Sequence, residues 1–170
     1  MIKQLSPMAY HSPVGILKIK ILDEQICEIL YSDEKSETED DATNLSVKSK
    51  KILKKTIRQF DEYFAGERKI FDLPLQQTGT AFQQKVWNEL INIPFGKTIS
   101  YLQLARRLGD EKSIRAAASA NGRNKLNIVV PCHRVIGSNG TLIGYGGGLP
   151  RKKWLLDHEA KFESGVATLF

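Results

Sequence analysis

Residues 100–123, SYLQLARRLGDEKSIRAAASANGR, carry the strongest architectural signal in the chain. Ser100 is an N-cap residue standing directly before YLQLARRL, whose apolar positions recur at helical spacing, and Gly109 stops the run. After the turn GDEK, Ser113 is placed to open a second helix, IRAAASAN, which Gly122 closes. Two short helices joined by a tight turn, the second rich in small residues and carrying Arg115, read as a helix-turn-helix. An ordinary helical hairpin with an Ala-rich packing face fits the same periodicity.

Upstream, Thr80 is positioned to cap a helix that carries Phe82, Val86 and Leu90 on one face and ends before Pro94 and Gly96. Downstream come an apolar strand at 128–131, a Gly-rich loop over 137–148, and a last helix beginning near Pro150 with Trp154, Leu155 and Leu156. The first half reads differently. Segments 14–22 and 26–32 alternate as a hairpin, with Leu17, Ile19 and Ile21 on one face, and the acidic stretch 33–44 is an exposed loop. Leu53, Ile57, Phe60 and Phe64 then mark a helix that stops at Gly66, and FDLPLQQTGT at 71–80 reads as a linker. The expected organisation is therefore an α/β (α+β) chain with domains at 1–78 and 79–170.

Charge follows that division. Residues 1–78 hold 12 Lys+Arg against 13 Asp+Glu, a balance of −1, whereas residues 79–170 hold 13 against 6, a balance of +7. Clustered basic residues gain by releasing counterions from a polyanion, so nucleic acid is one reading of the second half and a solvated basic surface is the other. The 170 residues are 41% hydrophobic and 26% charged with no long apolar run, a globular composition that excludes a membrane-spanning or disordered chain. The opening MIKQLSPMAY lacks the apolar core of a signal peptide, so a cytoplasmic protein is expected. Cys27 and Cys132 cannot staple a secreted scaffold, and the chain has neither a CxxC nor an HxxxH spacing, so no metal is expected.

The densest chemistry lies in Pro131-Cys132-His133-Arg134. A thiolate is the nucleophilic form of cysteine, and an imidazole nearby can supply it. Consecutive side chains in extended backbone point apart, so contact between Cys132 and His133 is expected to be indirect, for example through a water. By itself Cys132 equally fits a buried small hydrophobe.

The wider arrangement goes further. Residues 128–162, IVVPCHRVIGSNGTLIGYGGGLPRKKWLLDHEAKF, closely resemble the active-site signature of the O6-alkylguanine-DNA alkyltransferases, or methylated-DNA–protein-cysteine methyltransferases. The resemblance runs upstream through FGKTISYLQLARRLG and SIRAAASANGRN, covering nearly all of 80–162, and is weak before that, mainly around SPVGILKI. It implies a ribonuclease-H-like N-terminal domain, a winged helix-turn-helix-like C-terminal domain, and DNA repair by direct, irreversible damage reversal. The implied partner is double-stranded DNA containing O6-alkylguanine, bound in its minor groove by a monomer that needs no cofactor. O4-alkylthymine stays open as a further substrate.

Carried residue by residue, the resemblance makes Cys132 the alkyl acceptor, His133 the base acting through a water, and Glu159 the carboxylate that orients it. Tyr101 matches the proton donor toward guanine N3, and Asn124 matches the hinge residue that orients the thiol. Val135, Tyr145, Gly146, Gly147 and Gly148 match the pocket segment. Arg115 matches the arginine finger that fills the stack when the nucleotide is flipped, with Ala116, Ala117 and Ser119 along the groove-binding helix. Arg106, Arg107, Arg123, Lys125 and Arg151 are candidates for phosphate contacts, and Arg134 fits either a functional or a structural role.

The family commonly has Val-Gly after the arginine finger and Asn-Pro at the hinge, whereas this chain has Ala116-Ala117 and Asn124-Lys125. Those departures bear on pocket width and hinge stiffness. Cys27 reads as a buried bystander. Two rival readings remain at this point: a DNA-binding regulator with an inert Cys132, and a cysteine hydrolase using Cys132, His133 and Glu159.

Overall fold

A computed structural model of the chain describes residues 7–33 and 44–163. It divides into two compact units, Met1–Gln77 and Thr78–Phe170.

In the first unit, strands β1 (Met8–Ser12), β2 (Gly15–Leu22) and β3 (Gln25–Ser32) form an antiparallel sheet in that order. The alternation in β2 is realised, since Leu17, Ile19 and Ile21 are buried while Lys18 and Lys20 face the other way. Asp23 and Glu24 both have positive φ, as a two-residue hairpin between right-twisted strands requires. Strand β1 was not expected because MAYHS lacks apolar alternation; its register instead places Tyr10 opposite Leu17, with the ring stacked on Phe60 and Phe64.

Helix α1 (Val47–Phe64) begins earlier than the apolar spacing suggested, capped by the Ser46 hydroxyl accepting from Ser49 N–H. Its buried stripe is Ile52, Leu53, Thr56, Gln59, Phe60 and Tyr63, while Ile57 and Phe64 are only half-buried. Polar residues enter that stripe because their hydrogen bonds are satisfied. Thr56 Oγ1 donates to Ile52 O at 2.8 Å, and the Gln59 amide both donates to Asp72 O and accepts from Asp72 N–H.

Part of the expected linker is held to the sheet. Ile26 N–H donates to Pro74 O and Gln76 N–H donates to Ile26 O, so Leu75 bridges the outer edge of β3 and covers otherwise unpaired backbone. Cys27 is half-buried rather than buried, its thiol directed at Lys20 O. Of the acidic loop, residues 34–43 lie outside the described residues.

In the second unit, helix α2 (Ala81–Ile91) starts on a capping box between Thr80 and Gln83. Helix α3 (Tyr101–Arg107) starts on another, between Ser100 and Gln103. A 3-10 turn, Glu111–Ser113, leads into α4 (Ile114–Gly122). Ser113 does not cap α4; its backbone is already near-helical, and its hydroxyl donates back to Asp110 O, while Asp110 caps the turn by accepting from Lys112 N–H. Trp87 Nε1 of α2 donates to Ala120 O at 2.9 Å, which ties α4 to the core. The short strands β4 (Ile99–Ser100) and β5 (Val135–Ile136) pair in parallel, and α5 (Leu149–Glu163) closes the unit.

The run 128–131 is apolar but not a strand. Its residues are buried, yet Ile128 has φ +72 and the local bonds are turns, Val129 N–H to Asn127 O and Val130 N–H to Leu126 O. Burial on all sides, rather than sheet pairing, explains the composition there. No described helix is long and apolar enough to cross a membrane.

Candidate active site

Cys132 opens a 3-10 turn, Cys132–Arg134, immediately before β5. The turn splays successive side chains apart, so the Cys132 thiol and the His133 ring face different neighbours. Cys132 Sγ lies 3.1 Å from Asn124 Nδ2, which also donates to Val130 O at 2.8 Å, while Asn124 Oδ1 accepts from Leu126 N–H at 3.0 Å. One buried amide thus ties the chain after α4 to the turn and fixes the direction of the sulfur.

His133 is wholly buried, with Nε2 2.7 Å from Glu159 Oε1. Arg134 grips the same carboxylate with both prongs, Nε to Oε2 at 2.8 Å and Nη2 to Oε1 at 2.9 Å, and donates from Nη1 to Ile93 O at 2.6 Å. Gly96 N–H also donates to Glu159 Oε2, at 3.1 Å. A side chain at 96 is not tolerated, because φ is +75 and a Cβ would lie 2.3 Å from Glu163 Cβ.

Burial alone would raise the Glu159 carboxyl, but the charges and hydrogen bonds of His133 and Arg134 outweigh it and hold the group well below the usual carboxylate range. Burial lowers the His133 imidazole, against the pull of Glu159, whose charge Arg134 already balances. A neutral ring beside an ionised carboxylate carries its proton on Nε2. That leaves Nδ1 as a bare acceptor, and it has no protein partner. Burial pushes the Cys132 thiol up, with the Asn124 hydrogen bond and the Lys152 charge pulling the other way.

Lys152 is buried on α5 and donates from Nζ to Val135 O at 2.6 Å and Ile143 O at 2.8 Å. Burial brings its ammonium down to about 8, while Cys132 resists that shift. Tyr101 is linked to the Cys132 turn through Asn121, whose Nδ2 lies 3.4 Å from both Tyr101 Oη and Cys132 O; burial and then Cys132 raise the Tyr101 hydroxyl, and Asn121 lowers it. A cavity of about 480 Å³ is walled by Tyr101 of α3, Arg115 and Ala118 of α4, and Ile143, Gly144 and Tyr145 of the loop after β5; Tyr101 is in its wall, whereas Cys132, His133 and Lys152 are not.

Residues 81–161 match the family model for the 6-O-methylguanine DNA methyltransferase DNA-binding domain, and residues 8–77 match the model for the ribonuclease-like domain of the same proteins. The chain belongs to this family.

Methylated-DNA–protein-cysteine methyltransferase of Methanosarcina acetivorans is 40% identical over 150 residues, covering 88% of this chain and 95% of that protein. The constitutive methylated-DNA–protein-cysteine methyltransferase of Bacillus subtilis is 44% identical over 150 residues, covering 87% and 91%. The crystal structure of Mycobacterium tuberculosis OGT in complex with DNA superimposes with a TM-score of 0.80 at 38% identity, over 91% of this chain and 92% of that one.

Within this family fold, Asn124 holds the Cys132 thiol, Asn121 links the Cys132 carbonyl to Tyr101, and His133 and Arg134 of the turn form a buried cluster with Glu159 of α5. Arg115, Ala116, Ser119, Arg106 and Arg123 are exposed, and Arg106 is engaged by Glu111 at 2.6 Å. Three expectations need correction. Ala117 is wholly buried, because a helix with Ala117, Ala120 and Asn121 toward the core turns Ala116 and Ser119 outward; the methyl at 117 meets protein rather than a groove. Val135 is also wholly buried, in β5, and does not line the cavity. Gly147 is likewise buried, whereas Gly146 is exposed beside Tyr145, which lines the cavity.

Lys152, Asn121 and Gly96 are not among the site residues expected from the sequence, and Arg134, which fits either a functional or a structural role there, takes the structural one by holding Glu159. Of these, Arg134 carries a sequence signal, as a charged residue close behind the apolar run 128–131 and before Val135-Ile136, whereas Lys152 is masked by its neighbours Arg151 and Lys153.

The buried neutral His133 makes stability fall in mild acid. Its folded pKa is lowered, so the unfolded chain takes up the proton first and stability drops as pH falls through the ordinary histidine value of about 6.5. The slope should approach about 1.4 kcal/mol per pH unit. Urea unfolding between pH 7.5 and 5.5 measures it, and a flat profile in that window would contradict the assignment.

Proposed function

We propose that this chain repairs O6-alkylguanine in double-stranded DNA by transferring the alkyl group once, irreversibly, to Cys132. The observation that supports this reading is an oriented, buried thiol held by Asn124, next in the chain to a neutral histidine with a bare Nδ1, and linked through Asn121 to Tyr101 in the wall of a cavity that the exposed Arg115 edges. All belong to the second unit, which acts as the DNA-binding and transfer domain (79–170) in a monomer, with 1–78 as scaffold.

In this reading Arg115, exposed at the cavity wall, enters the base stack from the minor groove as the damaged nucleotide swings into the cavity. The thiol proton passes through a water to His133 Nδ1, and Glu159, held by Arg134, stabilises the imidazolium that forms. The sulfur then attacks the alkyl carbon in line. A carbon–sulfur bond forms as the carbon–O6 bond breaks, and its electron pair stays on guanine, which takes a proton at N3 from Tyr101. The proton held on His133 then returns through solvent to the Tyr101 oxygen, so guanine leaves one proton richer, the thiol is one proton poorer, and the balance closes with a thioether. A thioether has no leaving step, so each protein molecule acts once.

Incubation with duplex containing O6-methylguanine should restore guanine to a plateau of one per protein molecule, and Cys132→Ser should restore none. Multiple turnover, or repair by Cys132→Ser, would sink the proposal. An inert thiol with lesion-blind DNA binding would instead favour the regulator reading.

A further inference from the structure

Asn121 is a buried residue near the thiol with no assigned part in the reaction. It projects from the core face of α4 and is 2% exposed. Its Nδ2 lies 3.4 Å from Cys132 O and 3.4 Å from Tyr101 Oη. A backbone carbonyl only accepts, so the contact with Cys132 O decides which end of the amide faces inward. With Nδ2 there, the Tyr101 oxygen is approached by a donor and must direct its own proton elsewhere.

We infer that Asn121 is a positioning residue: by donating to Cys132 O and Tyr101 Oη together, it aims the Tyr101 proton into the cavity for delivery to the leaving base. This deepens the proposed function and rests on it. Two further observations support it. The present partner of the Tyr101 proton is Ile143 O at 3.4 Å, an oxygen of the cavity wall that it shares with Lys152 Nζ at 2.8 Å, so the proton already points to the cavity side and has a competitor for its acceptor. Asn121 Oδ1 is buried with no protein partner, an unsatisfied acceptor of the kind tolerated where function requires it. The Asn121 hydrogen bond also makes the Tyr101 hydroxyl more acidic, against burial and Cys132.

The test is a double-mutant cycle on the single-turnover rate with O6-methylguanine duplex, using Asn121→Leu and Tyr101→Phe. Asn121→Leu should slow transfer about tenfold, the worth of roughly one hydrogen bond. In the Tyr101→Phe background most of that loss should vanish, because the proton it aims is gone and only the contact with Cys132 O is left to lose. Equal loss in both backgrounds would show a merely structural role and overturn the inference, as would no loss in either. If Tyr101→Phe alone has no effect, the inference falls while transfer to Cys132 stands; if the unaltered chain transfers nothing, the proposed function itself has failed. Should Asn121→Leu not fold, Asn121→Ala is read in the same two backgrounds.

Discussion

Glu159→Gln should slow alkyl transfer about a thousandfold and lower stability by about 3–5 kcal/mol, the usual ranges for losing general-base support and for breaking a buried ion pair. The reason lies in how many groups share one carboxylate. His133, both prongs of Arg134 and Gly96 N–H all converge on it, and the carboxylate and the imidazole are essentially inaccessible. A neutral amide accepts at one atom and donates at the other, so Arg134 becomes an uncompensated buried cation and His133 loses the charge that would stabilise its protonated form. The two effects separate. Adding Arg134→Gln to Glu159→Gln should recover part of the stability and none of the rate. Denaturant unfolding with single-turnover kinetics measures both; rate and stability recovering together would mean that Glu159 is only a structural anchor.

Arg115→Ala should slow repair in duplex DNA about a hundredfold, while transfer from free O6-benzylguanine base stays within about twofold. Flipping a nucleotide costs a few kcal/mol, and a group that fills the vacated stack offsets part of that cost, with about 1.4 kcal/mol for each tenfold in rate. Arg115 is exposed on α4 at the wall of the cavity, so its loss disturbs no packing. A free base needs no flipping and isolates the chemical step. Equal loss on both substrates would place Arg115 in the chemistry and contradict the assignment.

Much of this architecture is written locally. The caps at Thr80 and Ser100, each with a glutamine three residues on, announce α2 and α3, and the alternation in β2 announces the sheet. What escaped the sequence depends on tertiary partners. Gln59 looks like a surface position until the Asp72 backbone satisfies its amide, and β1 has no apolar period because its main contribution is one Tyr10 ring on an aromatic cluster. At the site, Cys132, His133 and Glu159 were legible through a family resemblance, whereas the order of Glu159, His133 and Arg134 around one carboxylate is a product of folding. Ala117 shows the opposite error. A run of small residues says nothing of which methyl faces the core until Trp87 Nε1, anchored on Ala120 O, sets the rotation of α4.

The central claim is that Cys132 is consumed as a reagent, and the mass of its peptide tests it most directly. After incubation with an excess of duplex carrying O6-methylguanine, digestion and mass spectrometry should find the peptide containing Cys132 heavier by about one methylene. The gain should saturate at one per protein molecule, with Cys27 unmodified, since a thioether offers no route back to the thiolate. An unmodified Cys132 peptide alongside repaired DNA, or the alkyl group on another residue, would contradict the account.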